Sequence, residues 1–99
     1  MTHIAIASCR LKAGVTEEAM LAASDEFQAR FVKTQEGIIR RILVKGSEPA
    51  DYADIVFFTD LAAIDRVMEA EQTSEVCAAL FALLEGGDHH VYEVVKTYD

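Results

Sequence analysis

The first polar and apolar pattern to emerge is a strand. Over residues 3–11, Ile4, Ile6 and Ser8 alternate with Ala5, Ala7 and Cys9, the period of two that extended backbone imposes on its side chains. Both series are mostly apolar, so both faces of this strand are expected to be covered. Thr16 is a good N-cap for a following helix, and Glu17 and Glu18 fall in the first turn, where the helix dipole favours anions. Val15 and Met20 occupy hydrophobic-staple positions. Met20, Ala23, Phe27 and Phe31 continue an apolar stripe to about Gln35, and Gly37 can end it.

Residues 38–45 and 52–59 read as two strands around the loop residues Gly46, Ser47, Glu48 and Pro49, a hairpin in which Arg41 is expected to face Asp54. Asp60 caps the next helix, whose inward positions are Leu61, Ile64, Val67 and Met68. Thr73 or Ser74 recaps the chain for a helix carrying Val76, Leu80, Phe81, Leu83 and Leu84. Gly86 and Gly87 stop it before a last strand at residues 90–97. The order strand, helix, strand, strand, helical segment, strand predicts an α+β, ferredoxin-like antiparallel sheet with helices on one face. The other face is rich in Ile, Val and Phe, and a second sheet supplied by a twofold partner is its simplest cover.

Composition sharpens this picture. The 99 residues are 52% hydrophobic, more than a chain of this size readily buries alone, which again points to a homodimer of one domain spanning residues 1–99. Nine Lys plus Arg stand against seventeen Asp plus Glu, for a formal charge of −8, and such a field repels phosphate backbones. Nucleic acid is therefore not an expected partner. Arg40, Arg41 and Lys45 are a local basic group without interleaved stacking aromatics, better suited to ion pairs along strands. No membrane-length apolar run and no basic leader are present, so a cytoplasmic location and no membrane partner are expected. Cys9 and Cys77 form neither a disulfide framework nor a Cys-x-x-Cys site.

Three blocks, LKAGVTEEAM, QEGIIRRIL and DYADIVFFTDLAAI, resemble those of the antibiotic-biosynthesis-monooxygenase superfamily. The matching landmarks are Gly14, Gly37, Arg41, Leu43, Asp54, Val56 and Phe58. The resemblance implies a dimeric α+β barrel. It also implies one of several activities: cofactor-free oxygenation of quinol-like or polyketide substrates, haem degradation, or none established. The haem-degrading branch carries an Asn, a Trp and a His where an ungapped match places Ala7, Val67 and Cys77 here. The chain has no Asn and no Trp, and no His between Thr16 and Asp88. That removes the iron ligand of the branch, so no haem or other cofactor is expected.

The histidines form no metal set. His89 and His90 are neighbours on a strand and point to opposite faces, and His3 begins a strand antiparallel to theirs. Tyr52, Arg41 and Asp54 are the groups able to polarise a phenol or carbonyl oxygen, though structural pairing accounts for Arg41 and Asp54 equally well. Tyr92 and Tyr98 are ordinary strand residues. A small apolar or aromatic ligand is expected between sheet and helices, near Ala7, Cys9, Val67, Met68, Cys77 and Phe81, with both thiols on one apolar pocket and neither activated. No catalytic residue is singled out. The leading expectation is a small-molecule-binding protein, with cofactor-independent oxygenation of an electron-rich aromatic as its chemistry. The competing one is a binding or assembly module whose pocket is filled by Met68 and Phe81.

Overall fold

The computed structural model describes residues 1–99, and the chain runs β1 (His3–Leu11), α1 (Glu17–Arg30), a 3-10 turn (Val32–Thr34), β2 (Ile38–Lys45), β3 (Asp51–Phe58), α2 (Leu61–Glu71), α3 (Glu75–Phe81), β4 (Leu84–Glu85) and β5 (His89–Glu93). This is an α+β, ferredoxin-like arrangement. The three helices start at side-chain caps: Thr16 Oγ1 accepts from the Ala19 N–H at 3.1 Å, Asp60 Oδ1 from Ala63 at 2.8 Å, and Ser74 Oγ from Cys77 at 3.3 Å. Each satisfies a backbone donor that the first helical turn leaves free, worth about 1 kcal/mol. Of the two recap candidates, Ser74 is the one used.

All strand pairs are antiparallel. β1 lies centrally, pairing with β3 from His3↔Phe58 to Arg10↔Asp51 and, on its other edge, with β5 from His3↔Glu93 to Ala7↔His89. Two corrections to the expected strands follow from this edge. Leu84 leaves the helix, which ends at Phe81, and forms the two-residue β4 opposite Arg10 and Leu11. The last strand runs from His89 to Glu93 rather than over residues 90–97, because β1 begins at His3 and offers no partner beyond it; Val94 N–H reaches the Thr2 carbonyl at 2.9 Å and the pairing ends.

Helix α1 also stops earlier than the stripe suggested, at Arg30, with Phe31 as C-cap and the 3-10 turn continuing the buried side through Val32. Gly37 then has φ +94°, and a Cβ there would collide with the Ala63 side chain of α2. Glycine is required at that point by conformation and by space.

The pleat sorts the sheet into two faces. Ala5, Ala7 and Cys9 of β1 lie beside Tyr52, Asp54 and Val56 of β3 and Arg41 and Leu43 of β2, and this face meets the helices. Met20 and Phe27 of α1, Ile64 and Val67 of α2 and Cys77 and Leu80 of α3 are buried there. Leu61 and Met68, expected to point inward, are 51% and 45% exposed; the buried positions of α2 are Ala63, Ile64 and Val67. The opposite face carries Ile4 and Ile6, Ile55 and Phe57, Ile42 and Val44, and Tyr92. None of these is buried within the chain, and Tyr92 is 53% exposed.

Candidate functional site

A cavity of about 510 Å³ lies between the sheet and the helices. It exists because the floor is built from small side chains, Ala5, Ala7 and Cys9, while the walls are long: Met20 and Phe27 from α1, Ile64 and Val67 from α2, Leu80 from α3. Met68 and Phe81 also line it yet stay 45% exposed each, so they form its lip instead of filling it. Most of the lining is hydrophobic, in the size range of small-molecule sites.

Its polar groups are few and arranged. Arg41 Nε donates to both carboxylate oxygens of Asp54 at 2.9 and 2.8 Å, and its remaining nitrogens reach Ser24 Oγ at 2.7 Å, and the Ser24 carbonyl and Gln28 Oε1 at 3.5 Å. The guanidinium also stacks over the Phe27 ring, 4.8 Å from its centroid. Arg41 is thus consumed by the protein. The strand register places Leu43, not Arg41, opposite Asp54, so the ion pair is a diagonal one made by the length of the arginine side chain. Burial pushes the Asp54 carboxyl up, and Arg41 pulls it back without cancelling the rise.

Glu71, at the end of α2, lines the same cavity. Burial raises its carboxyl pKa, and the negative charge of Asp54 raises it further. Tyr52, buried and also on the cavity, donates its hydroxyl to Glu17 Oε1 at 2.7 Å, and Lys45 Nζ closes on the same oxygen at 3.3 Å. The phenol is raised by the Glu17 bond, and Glu17 is lowered by Tyr52 and Lys45. This trio fastens the start of α1 to the hairpin.

Of the six side chains expected around a ligand, Ala7, Cys9, Val67, Met68 and Phe81 line the cavity. Cys77 does not. It is fully buried beneath the first turn of α3, where its backbone N–H bonds the Ser74 cap and α3 packs on α1. The two thiols therefore do not share a pocket. Burial raises both thiol pKa values, with Asp54 adding to the rise at Cys9 and Glu71 at Cys77, so neither is an activated nucleophile.

His89 and His90 divide as adjacent strand residues must: His89 lines the cavity, while His90 points to the other face, its ring 6.4 Å from Tyr92. His3 Nδ1 bonds the Met1 carbonyl at 2.9 Å, at the far end of β1. No group of three or more His, Cys, Asp or Glu side chains is placed to hold a metal ion. Glu71, Ser24 and Glu85, which also line the cavity, were not expected there; the i, i+4 spacing of Glu71 from the inward Val67 is the one signal that could have found it.

No family model matches the chain, and no curated protein matches it. Solved structures do. SnoaB, a cofactor-independent oxygenase from Streptomyces nogalater, superposes with a TM-score of 0.80 at 18% identity, over 97% of this chain and 95% of that one. A candidate antibiotic biosynthesis monooxygenase from Bordetella bronchiseptica gives 0.79 at 17% identity, over 96% and 98%. A protein from Shewanella oneidensis gives 0.68 at 25% identity, over 92% and 88%. The fold is that of the antibiotic-biosynthesis-monooxygenase proteins.

Proposed function

We propose that this chain is a single-domain dimeric α+β barrel protein that binds a flat apolar or aromatic small molecule in the cavity between its sheet and helices, and oxygenates it without a cofactor when the ligand is electron-rich. The observation that carries this reading is the open cavity itself. Had Met68 and Phe81 folded inward, the same residues would make an ordinary core; their position at the lip favours a ligand over the filled-module alternative. The sequence blocks and the likeness to SnoaB support the oxygenase chemistry, in which an electron-rich ring reduces oxygen directly and the protein supplies orientation and a dry site. Dimerisation is supported by the uncovered apolar face around Ile6, Ile55 and Phe57.

The test is a thermal-shift screen of quinols and flat aromatics, followed by oxygen uptake in chelator-treated buffer. A ligand at about a hundred times its Kd should stabilise the protein by roughly 2.7 kcal/mol. Uptake that scales with protein concentration supports the oxygenase. Binding without uptake leaves a binding protein, and no binding by any ring compound overturns the reading.

A further inference from the structure

We propose that Glu71 selects the ligand, accepting a hydrogen bond from a hydroxyl on an uncharged flat ring and turning carboxylate-bearing rings away. The inference rests on the cavity being a ligand site, as proposed above, and adds the polar chemistry of what enters it.

Three observations carry it. First, the one full cation on the cavity is already used: every guanidinium nitrogen of Arg41 is bonded to Asp54, Ser24 or Gln28. With Arg41 and Asp54 neutralising each other, Glu71 inside and the exposed Glu85 leave the cavity with an excess negative charge, and an anion entering it finds no unoccupied donor from Arg41. Second, the Glu71 side chain makes no hydrogen bond or ion pair with the protein, whereas those of Asp54, Ser24 and Tyr52 are all engaged, and the other unpartnered polar side chains of the lining, Glu85 and His89, are exposed. No side-chain oxygen or nitrogen in the molecule is both buried and unpartnered, so the carboxylate oxygens of Glu71 remain accessible. Third, the surroundings are apolar: Val67 and Met68 precede it on α2, and Leu80 and Phe81 lie on α3. A hydrogen bond to a charged acceptor in such a site is strong, and losing it leaves the acceptor bare.

A ligand fits these conditions when it is flat, apolar over most of its surface and equipped with one hydroxyl donor. A ring carrying a carboxylate meets repulsion from Glu71 with no free cation to offset it, and a ring with its hydroxyl methylated loses the bond while keeping its shape.

The test uses three naphthalene probes of the same outline, followed by their fluorescence on titration with the full-length protein: 2-naphthol, 2-methoxynaphthalene and 2-naphthoate. The expected preference for 2-naphthol over the methyl ether is on the order of 10- to 100-fold, the worth of one hydrogen bond to a charged acceptor, with naphthoate weaker than either. Glu71→Gln should bring the naphthol preference down to a few-fold, leave the methyl ether unchanged and let naphthoate bind. Glu71→Ala provides the same readout through a second variant, and unchanged circular dichroism establishes that each is folded. If wild type binds naphthol and its methyl ether equally, or Glu71→Gln keeps the preference, the role of Glu71 is refuted and the cavity reading stands. If no probe binds wild type, the cavity reading fails and this inference fails with it.

Discussion

Replacing Ala7 with leucine asks whether the space above the sheet is a ligand site or slack in the packing. Ala7 sits at the middle of the sheet, paired with Asp54 on β3 and His89 on β5, and its methyl group is part of the cavity floor. Leucine adds three carbons at that point. In a filled interior the added bulk forces side chains off their rotamers and costs about 1–3 kcal/mol. Over a cavity of about 510 Å³ the same carbons are removed from water instead, at about 0.8 kcal/mol each, for a gain of up to roughly 2 kcal/mol. For a domain of this size 1 kcal/mol moves Tm by roughly 4–8 °C, so the two cases differ in sign and by about 10 °C or more. Thermal melts at one fixed protomer concentration read this directly, the concentration being held because a dimer's Tm depends on it. Titration with 2-naphthol reads the other half. The expected result is an unchanged or raised Tm with affinity down at least about tenfold, the factor that corresponds to 1.4 kcal/mol. A Tm lowered by the overpacking amount, with naphthol binding unaltered, would refute the open cavity.

Three further outcomes are expected. The raised carboxyl of Glu71 means that the folded chain holds its proton more tightly than the unfolded one, so its ionisation costs stability as pH rises from the unfolded value of about 4.3 through the folded value. Glu71→Gln removes that cost and should raise Tm at neutral pH, with the gap closing towards about pH 4; a gap that does not change with pH contradicts the assignment. Ile6→Asp places a charge in the middle of the helix-free face, and sedimentation should show the species fall from about twice 10.9 kDa to the monomer mass, whereas a wild-type protein that is already monomeric sinks the dimer. Arg41→Met leaves Asp54 buried without its partner and should cost about 3–5 kcal/mol in urea unfolding, much of which Arg41→Met combined with Asp54→Leu should restore; equal loss in both variants would mean that the arginine acts through packing on Phe27 rather than through charge.

Much of the fold was legible because short-range rules govern it. Strand alternation set which side chains share a face, so the sequence alone places Ala5, Ala7 and Cys9 together on β1 and His89 apart from His90 on β5. Thr16, Asp60 and the pair Thr73 and Ser74 marked helix starts because an N-cap is a local hydrogen bond, and the structure chose Ser74 of the pair. What remained hidden depends on contacts between distant segments. A helical stripe cannot say how far the helix is rolled, and that roll decides that Leu61, Met68 and Phe81 meet solvent while Cys77 leaves the cavity for the core. The strand register, set by the hairpin loop, put Leu43 across from Asp54 and made the Arg41 pair diagonal. The end of β5 was decided by where β1 begins, and the place of Glu71 by the packing of α2 over Asp54. Residue types and their spacing thus determined the elements, the faces and the polar groups available; only the tertiary packing decided which of those groups converge on an open space, because an empty volume is a property of several segments at once.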